Sequence, residues 1–583
     1  MMPVDTPRLP SNGELAEVFQ TIAHYLALDG ESSYRMTAYQ RAASLFREHP
    51  LSIAEMTVRG NLRDLPGVGQ AIEAKVVEYL ETGQVDLLEK FRRRYPEGLL
   101  GVMHLPGMGP KKTRLIWETA GVADLRDLER ACREGRIREI PGLGDKTETN
   151  LLRALETLTI RAAEGKEPRR LRTLVEPQAA HMVAELRRLP MVVRADYAGS
   201  LRRQCPTVRD IDLVAASADP VAVMSAFSGL PQIARVVERG ETKLAARTHN
   251  GLGVDLRVVS PQSYGNLLQH FTGSAGHNVA LRAYAQQRGF KISEYHVEHL
   301  ESGRLITCTT EEQVYETVAL RYIPPELRED QGEIEASATG VLPDLVHRSD
   351  LRGDLHVHSD WTDGRAGLEE MAVAAREQGL DYLCFCDHSQ SLAMTGGLCP
   401  ERLAAQIDAI RELDAGIEGI RILAGIEVDI LTDGRLDLPE EALARLDFVT
   451  ASIHSGFGQP QTKIMERLAS AMRSPYVRSI GHPTGRLLGR REPYDVDIDS
   501  LARLAVETGT YLEINGSPDR LDLTAPAARR AAALGATLVI CSDAHSPSDF
   551  QNLEFGAGEA RRAWLTSADV ANTSLWEIIA EKP

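Results

Sequence analysis

The sequence predicts a multidomain protein with an all-α N-terminal region, a mixed α/β middle region and a C-terminal βα barrel. Three observations support this fold class. The chain has 583 residues, which is too long for a single hydrophobic core and suggests about three to five domains. A short Pro-Gly-x-Gly pattern occurs three times near the N-terminus. After residue 350, strand and helix patterns alternate over about 230 residues, the size of a βα barrel.

The composition is ordinary for a globular protein, with 43% apolar and 26% charged residues. No apolar run is long enough to predict a membrane span, and the first eight residues lack the apolar stretch of a secretory signal. The seven cysteines form no Cys-x-x-Cys pair. We therefore predict a cytoplasmic protein without a disulfide framework or a membrane partner.

Charge is distributed unevenly along the chain. The net charge of −17 divides into +4 over residues 1–300 and −21 over residues 301–583. The acidic excess lies in the half that carries the candidate metal ligands described below, where carboxylates can hold cations. Charge alone does not decide what the nearly neutral N-terminal half binds.

The N-terminal region is predicted to be helical, and three loops interrupt it at 65–69, 105–109 and 140–144, each with the pattern Leu/Ile-Pro-Gly-x-Gly. Proline fixes the turn, and the glycines permit unusual backbone angles and close approach. Because a helix begins directly after each loop, free backbone N–H groups can bind a phosphate without reading sequence. The alternative is three tight helix–helix turns. The pattern resembles the helix-hairpin-helix motif of DNA repair proteins, and this resemblance implies that the loop glycines contact DNA: Gly67, Gly69, Gly107, Gly109, Gly142 and Gly144.

The middle region carries three aspartates on predicted strands. Asp210 and Asp212 are two residues apart, so both point to one face of a strand. Asp255 lies on a second strand with the same alternation of apolar residues. Three converging carboxylates can hold two divalent cations for phosphoryl transfer. The alternative is that these are solvated aspartates at a sheet edge.

The C-terminal region carries imidazoles and carboxylates at the ends of predicted strands. In the strand that begins at Asp354, His356 and His358 share one face. Imidazole and carboxylate suit Zn²⁺, Mn²⁺ or Fe²⁺, and nine such groups are too many for one ion, so two or three ions are predicted. The candidate ligands are His356, His358, Asp363, His388, Glu427, His454, His482, Asp543 and His545.

Three arginines, Arg486, Arg490 and Arg491, closely follow His482 and are predicted to meet substrate phosphates. The alternative is a solvated basic turn. Between the middle and C-terminal regions, the composition of residues 320–350 marks a linker or domain boundary, and 326–350 is predicted as the linker.

Residues 351–560 resemble the polymerase and histidinol phosphatase (PHP) family in its four motifs, which are HxH, a histidine after the second strand, a central histidine and a terminal DxH. All nine ligand positions of that family are present here. The resemblance implies a distorted seven-stranded (βα)7 barrel and phosphoester hydrolysis. It also implies one ion held by His356, His358, Glu427 and Asp543, a second held by Glu427, His454 and His482, and a third held by Asp363, His388 and His545.

Residues 10–325 resemble a family X DNA polymerase, and the loops at 65–69, 105–109 and 140–144 resemble its helix-hairpin-helix motifs. The matching stretches are Tyr39-Gln-Arg-Ala-Ala, the first loop, Gly199-Ser-Leu-Arg-Arg203, Asp210-Ile-Asp212, Asp255, Phe271-Thr-Gly-Ser274 and Glu294-Tyr295. The implied domains are a lyase-like domain (1–90), fingers (91–170), a nucleotidyltransferase-type palm (171–260), a thumb (261–325), the linker and a PHP domain (351–583).

The family X resemblance also implies roles for single residues. Asp210, Asp212 and Asp255 would be catalytic and hold Mg²⁺ or Mn²⁺, while Ser200 and Arg203 would bind the incoming triphosphate. The residues that would line the nucleotide and template side are Phe271, Asn278 and Arg282. Lys75 matches the lysine that forms a Schiff base with an abasic sugar, a role that needs a lowered pKa.

Two residues depart from the family pattern, because Gln204 and Arg209 stand where the family has glycine. We predict a monomeric DNA repair enzyme that fills gaps in gapped or nicked duplex from deoxynucleoside triphosphates. Its PHP domain would be a 3′–5′ exonuclease, with possible abasic-site cleavage. One alternative is a nuclease whose degenerate palm mainly binds DNA, and another is a small-molecule phosphatase joined to a nucleic-acid-binding module.

Overall fold

The computed structural model describes residues 9–31, 33–105, 107–163 and 169–580, with only the backbone given for 33 and 156–163. The first eight residues, judged above not to be a signal, and Pro106 of the second loop lie outside the described residues. The chain forms two compact units. The first comprises 1–169, 178–195 and 209–259, and the second comprises 170–177, 196–208 and 260–583. Among the described helices, none is long and apolar enough to cross a membrane.

Helices make up the N-terminal region, as predicted. Ser11 starts the first helix by accepting from the backbone N–H of Glu14, whose carboxylate accepts in return from the Ser11 N–H at 2.6 Å. Phe19 packs edge-on against Phe46 in the core, with ring centroids 5.0 Å apart. The helices are α1 (Asn12–Asp29), α2 (Ser33–Glu48), α3 (Ile53–Val58), α4 (Gln70–Thr82), α5 (Asp86–Arg94), α6 (Leu99–Met103), α7 (Pro110–Ala120), α8 (Leu125–Arg133) and α9 (Asp145–Ala163).

The middle region contains a five-stranded mixed sheet of order β2-β4-β7-β6-β5. Strands β4 and β7 are parallel, whereas β6 runs antiparallel to β5 and β7. The strands are β1 (Arg170–Leu171), β2 (Val192–Tyr197), β3 (Thr207–Val208), β4 (Asp210–Ser217), β5 (Ile233–Arg239), β6 (Lys243–Thr248) and β7 (Gly253–Val259). The helices are α10 (Arg172–Arg188), α11 (Gly199–Arg202) and α12 (Pro220–Ser228).

The next region is a helical segment followed by a small antiparallel sheet, β10-β9-β8. Its elements are α13 (Tyr264–Thr272), α14 (Ala275–Gln286), β8 (Phe290–Ile292), β9 (Val297–His299), β10 (Arg304–Ile306), α15 (Glu311–Thr317) and α16 (Glu333–Thr339). The predicted linker 326–350 is not extended chain. It contains α16 and the fully buried Arg328, and Leu345 joins the hydrophobic cluster of this region.

The C-terminal region is a parallel sheet whose strands follow sequence order from β11 to β17. A parallel bridge from Val357, on β11, to Ala544, after β17, almost closes it into a barrel. The predicted seven-stranded barrel is therefore confirmed within 353–541, all of which is described. The strands are β11 (Gly353–Val357), β12 (Tyr382–Phe385), β13 (Arg421–Asp429), β14 (Phe448–Ser452), β15 (Val477–Ile480), β16 (Tyr511–Asn515) and β17 (Leu538–Cys541).

Helices cover the barrel and bury its apolar strand residues in one large hydrophobic cluster. They are α17 (Leu368–Glu377), α18 (Pro400–Gly416), α19 (Glu440–Leu443), α20 (Gln461–Met472), α21 (Ile498–Thr508), α22 (Ala525–Ala533), α23 (Asn552–Arg562) and α24 (Trp576–Ile579).

Candidate functional site

The barrel carries its candidate ligands at the carboxyl ends of adjacent parallel strands. His356 is on β11, and Glu427 lies near the end of β13. His388 and His454 follow β12 and β14, and His482 follows β15. Because all strands run in one direction, these ends lie at one rim of the barrel, where barrel enzymes place their chemistry.

Glu427 is at the centre of this rim and presents its two oxygens to different imidazoles. Oε2 lies 3.6 Å from His356 Nε2 and 2.7 Å from His388 Nδ1. Oε1 lies 3.3 Å from His454 Nε2 and 2.9 Å from His482 Nε2. One carboxylate thus reaches two sets of imidazoles, which is the geometry needed to bridge two cations.

Two further carboxylates organise the remaining ligands. Asp543 Oδ1 lies 3.2 Å from His358 Nε2. Asp363 Oδ2 lies 3.4 Å from His388 Nε2 and 3.5 Å from His545 Nε2. In three groups, the potential ligand atoms all lie within 4.8 Å of one another: His358, Asp363, His388 and His545; His356, His358 and Asp543; and His388, Glu427 and His454.

These side chains fit divalent cations. Several buried imidazole nitrogens of the rim have no hydrogen-bond partner, although buried polar atoms usually find one. His388 Nδ1 approaches Glu427 closely yet is among them. The nitrogens are His356 Nε2, His358 Nδ1 and Nε2, His388 Nδ1, His454 Nε2 and His482 Nδ1. Except for His482 Nδ1, each of these nitrogens lies within 4.0 Å of a carboxylate oxygen, and imidazole beside carboxylate is a typical donor set for a metal ion.

The electrostatics of the rim agree with this fit. Burial lowers the pKa of His388, but Glu427 and Asp363 together raise it to about 10. Burial and the neighbouring His545 lower the pKa of His358 to about 3. Without a cation, the carboxylates therefore attract protons onto some imidazoles, and a cation held by these residues would take the place of those protons.

A second set of buried carboxylates supports the ligands, and the sequence reasoning missed them. Glu513, on β16, accepts from His356 Nδ1 at 2.7 Å and from the backbone N–H of His482. Asp387 accepts from the Ser359 hydroxyl at 2.6 Å. A charged residue between Leu512 and Ile514, in the middle of a predicted strand, was the signal that could have identified Glu513.

The arginines after His482 do not face the cluster freely. Arg486 and Arg491 donate to main-chain carbonyls, and Arg490 pairs with a partly exposed aspartate at 3.1 Å. Arg520 is placed differently, with Nε 3.4 Å from Asp543 Oδ2 and a buried NH1 that has no hydrogen-bond partner. It was not identified from the sequence, and it is the better-placed cation for a phosphate.

The palm aspartates lie on paired strands of the first unit. Asp212 is directly opposite Asp255 in the parallel pair β4–β7. Burial, followed by the charge of Asp210, raises the pKa of Asp255, so these carboxylates share one electrostatic environment. They are not among the tight donor groups found in the described residues, which all lie in the barrel. Arg209 precedes them and has a buried Nε without a hydrogen-bond partner.

The turn predicted to bind triphosphate lies in the second unit. Ser200 is in the short helix α11, and the Arg203 guanidinium donates to Glu329 at 3.0 Å and to the Thr272 carbonyl at 2.6 Å. Gln204 has a φ of +57°, a left-handed conformation that favours glycine. This explains why a glycine suits the position and shows that glutamine occupies it at a conformational cost.

The other predicted nucleotide-side residues converge on His270. Asn278 donates to the His270 carbonyl at 2.7 Å, and Arg282 NH2 lies 3.0 Å from its Nδ1. Phe271 is the next residue and stacks edge-on with the His270 ring, at 5.2 Å between centroids. Helices α13 and α14 therefore bring the three predicted residues together.

The repeated loops have the predicted form, with α4, α7 and α9 beginning directly after them. Gly67, Gly107 and Gly142 have φ values of +85°, +80° and +87°. A Cβ added to any glycine of the three loops would meet nothing within 4 Å, so the loops present open backbone. Lys75, on α4, donates to Glu78 Oε2 at 2.5 Å and is 28% exposed.

Family models match four parts of the chain. They are a helix-hairpin-helix domain (10–85), a SAM-like helix-hairpin-helix tandem (99–157), the DNA polymerase beta thumb (267–329) and the PHP domain (354–517).

Similar proteins cover either the whole chain or its barrel. The DNA polymerase/3′-5′ exonuclease PolX of Bacillus subtilis (strain 168) is 37% identical over 562 residues, 96% of this chain and 97% of that protein. A probable phosphatase of Thermoanaerobacter sp. (strain X514) is 31% identical over 240 residues, 39% of this chain and 91% of that protein. The motif-based prediction is confirmed: the chain belongs to the family X DNA polymerases that carry a C-terminal PHP domain.

Proposed function

We propose that this protein is a DNA repair enzyme that fills short gaps with its palm and removes nucleotides from 3′ ends with its PHP barrel. The observation that carries the proposal is that one chain holds two separate constellations, the paired Asp212–Asp255 strands and the imidazole–carboxylate rim centred on Glu427. The named activities of the Bacillus relative support the same pair. We further propose that it acts as a monomer in the cytoplasm.

In the palm, Asp210, Asp212 and Asp255 would hold two Mg²⁺ or Mn²⁺ ions. Such ions, when bound, activate the attacking 3′ hydroxyl and neutralise charge on the triphosphate. Arg203 and Ser200 would bind the triphosphate, since a guanidinium presents paired donors to phosphate oxygens. Phe271, Asn278 and Arg282 would position the nucleotide base against the template.

In the barrel, the nine rim residues would hold two or three Mn²⁺, Zn²⁺ or Fe²⁺ ions. Such ions, when bound, lower the pKa of a water and orient it for attack on phosphorus. Glu427 would bridge two of them because its oxygens face different imidazoles. Arg520 would bind the phosphate, with its orientation held by Asp543.

The hairpin loops would hold the DNA backbone without sequence preference, because their backbone is open and each loop precedes a helix N-terminus. Lys75 would form a Schiff base with an abasic sugar. Its amine must first leave Glu78 to act as a nucleophile.

Single-residue variants in each half test the proposal. We expect Asp212→Ala to abolish gap filling on a gapped duplex while leaving 3′–5′ degradation, and His358→Ala to do the reverse. Both assays are run with Mn²⁺ on the full chain. Failure of the wild type to add any nucleotide would remove the polymerase half of the proposal.

Two alternatives have specific support. Gln204 and Arg209 favour a palm that mainly binds DNA. In that case Asp212→Ala leaves the hydrolytic activity of the barrel, the one activity of the enzyme, intact. The match of the barrel to a probable phosphatase favours a small-molecule substrate. Comparing hydrolysis of a 3′-ended oligonucleotide with that of a sugar monophosphate distinguishes this second alternative from the main proposal.

A further inference from the structure

Helix α23 of the barrel carries two consecutive arginines that reach residues far away in sequence. Arg562 NH1 donates to the main-chain carbonyl of Arg203 at 2.8 Å and to Glu329 at 3.1 Å. Arg561 donates to Glu326 at 2.8 Å. All of these residues lie in the second compact unit. The barrel therefore contacts the same turn that presents Arg203.

Glu329 is shared between two arginines. Its Oε1 accepts from both Arg203 Nε and Arg562 NH1. Burial raises the pKa of Glu329, but Arg203 and Arg562 together lower it below its usual range. The carboxylate therefore stays ionised and attracts both guanidinium groups. When one arginine is removed, the other becomes its sole arginine partner.

Gln204 fits against the same helix. Its Oε1 accepts from Arg172 at 3.0 Å, and its Nε2 donates to Glu326 at 3.0 Å. A Cβ added to Gly558 would lie 2.1 Å from Gln204 Oε1. The side chain of Gln204, which stands where the family pattern has glycine, is thus in close contact with the barrel helix.

We propose that Arg562 is a positioning residue for Arg203, and that the PHP domain thereby sets the affinity of the polymerase half for nucleotide. This inference rests on the proposed role of Arg203 in binding the triphosphate. Two effects act in the same direction. Without Arg562, the Arg203 carbonyl loses its donor and the turn loosens. Glu329 also pairs more strongly with the Arg203 guanidinium, and this ion pair competes with the binding of phosphate to Arg203.

The experiment is steady-state gap filling with Arg562→Ala, with deoxynucleoside triphosphate varied at saturating DNA. Because Arg562 acts on the nucleotide through Arg203, a coupling of ordinary size predicts a KM for nucleotide that is about tenfold higher, with kcat close to that of the wild type. The 3′–5′ exonuclease is expected to be unchanged. Arg562→Lys should recover most of the loss, because the contacts to Arg203, Cys205 and Glu329 all come from one nitrogen.

The matched control is Arg530→Ala, which removes an arginine paired with Asp499 on the same domain and should change neither KM nor kcat. If Arg562→Ala fails to fold, Gly558→Ala provides a second test. Its added methyl group displaces Gln204 without removing a charge, and KM should rise in the same direction.

A double-mutant cycle tests whether Arg562 acts on Arg203 through the charge of Glu329. In a Glu329→Gln background, Arg562→Ala should raise KM by a smaller factor than in the wild type, because the shared charge is already absent.

The variants distinguish a wrong nucleotide-binding role for Arg203 from a wrong positioning role for Arg562. An unchanged KM in Arg203→Ala would overturn the nucleotide-binding role of Arg203, and the inference with it. A raised KM in Arg203→Ala with an unchanged KM in both Arg562→Ala and Gly558→Ala would overturn the inference alone.

Discussion

Glu513 offers a test of the barrel site, because it supports the metal ligands without belonging to any candidate ligand set. Its carboxylate accepts from His356 Nδ1 at 2.7 Å, which leaves His356 Nε2 to face Glu427. It also accepts from the backbone N–H of His482. The substitution Glu513→Gln removes the negative charge from both hydrogen bonds and keeps nearly the same shape.

The expected size of the effect follows from these contacts. A carboxylate that orients a ligating imidazole also raises its basicity, and losing such a partner typically costs about 10- to 100-fold in metal affinity or activity. Because Glu513 holds two ligand residues, we expect the upper part of that range. The Mn²⁺ concentration for half-maximal exonuclease activity should rise by about two orders of magnitude.

The assay is 3′–5′ degradation of a labelled oligonucleotide across a Mn²⁺ titration, after chelation and dialysis. Gap filling by the same preparation reports on the palm and should show the wild-type response to metal. The matched control is Glu507→Gln, the same substitution at an exposed position on α21. A Glu513→Gln enzyme with the wild-type Mn²⁺ dependence would refute the argument that Glu513 orients His356.

Other parts of the molecule give three further predictions. Burial raises the pKa of Glu311, but Arg328 and Arg202 lower it to about 2, below the usual 4.5. Glu311 should thus contribute about 3 kcal/mol above pH 4.5 that is lost as the pH falls towards 2. Chemical denaturation should show this acid sensitivity in the wild type and much less in Glu311→Gln; equal pH dependence would contradict it. Glu78→Gln should increase the borohydride-trapped adduct of Lys75 with an abasic sugar, because the amine loses its carboxylate partner, and Lys75→Ala should give none. Gly67→Ala should lower stability by about 1 kcal/mol at its positive φ, as measured by thermal unfolding, and a result no different from that of a neutral surface substitution would count against it.

The barrel and the grouping of its candidate ligands could be predicted because each strand and the polar residues at its end are adjacent in sequence. Each candidate ligand lies on or follows an apolar strand, and parallel strands bring their carboxyl ends together whatever the details of packing. The charge of Glu513 within a strand was visible, but its partner His356 lies 157 residues earlier in the chain, so the sequence did not show what the carboxylate contacts. The pattern alone also could not divide the ligands among ions. His358 contacts both Asp543 and the group around Asp363, whereas the resemblance places it in one set.

Gln204 shows why the environment of the predicted nucleotide-binding turn could not be predicted from the sequence. Taken alone, a glutamine in place of a glycine suggests a weakened nucleotide-binding turn, because the left-handed backbone there favours glycine. The compensation comes from Arg172, Glu326 and Gly558, of which the last two lie far along the chain. A local departure from a motif therefore indicates lost function only if no distant contact requires the new residue. Here such contacts exist, and they connect the turn to the barrel.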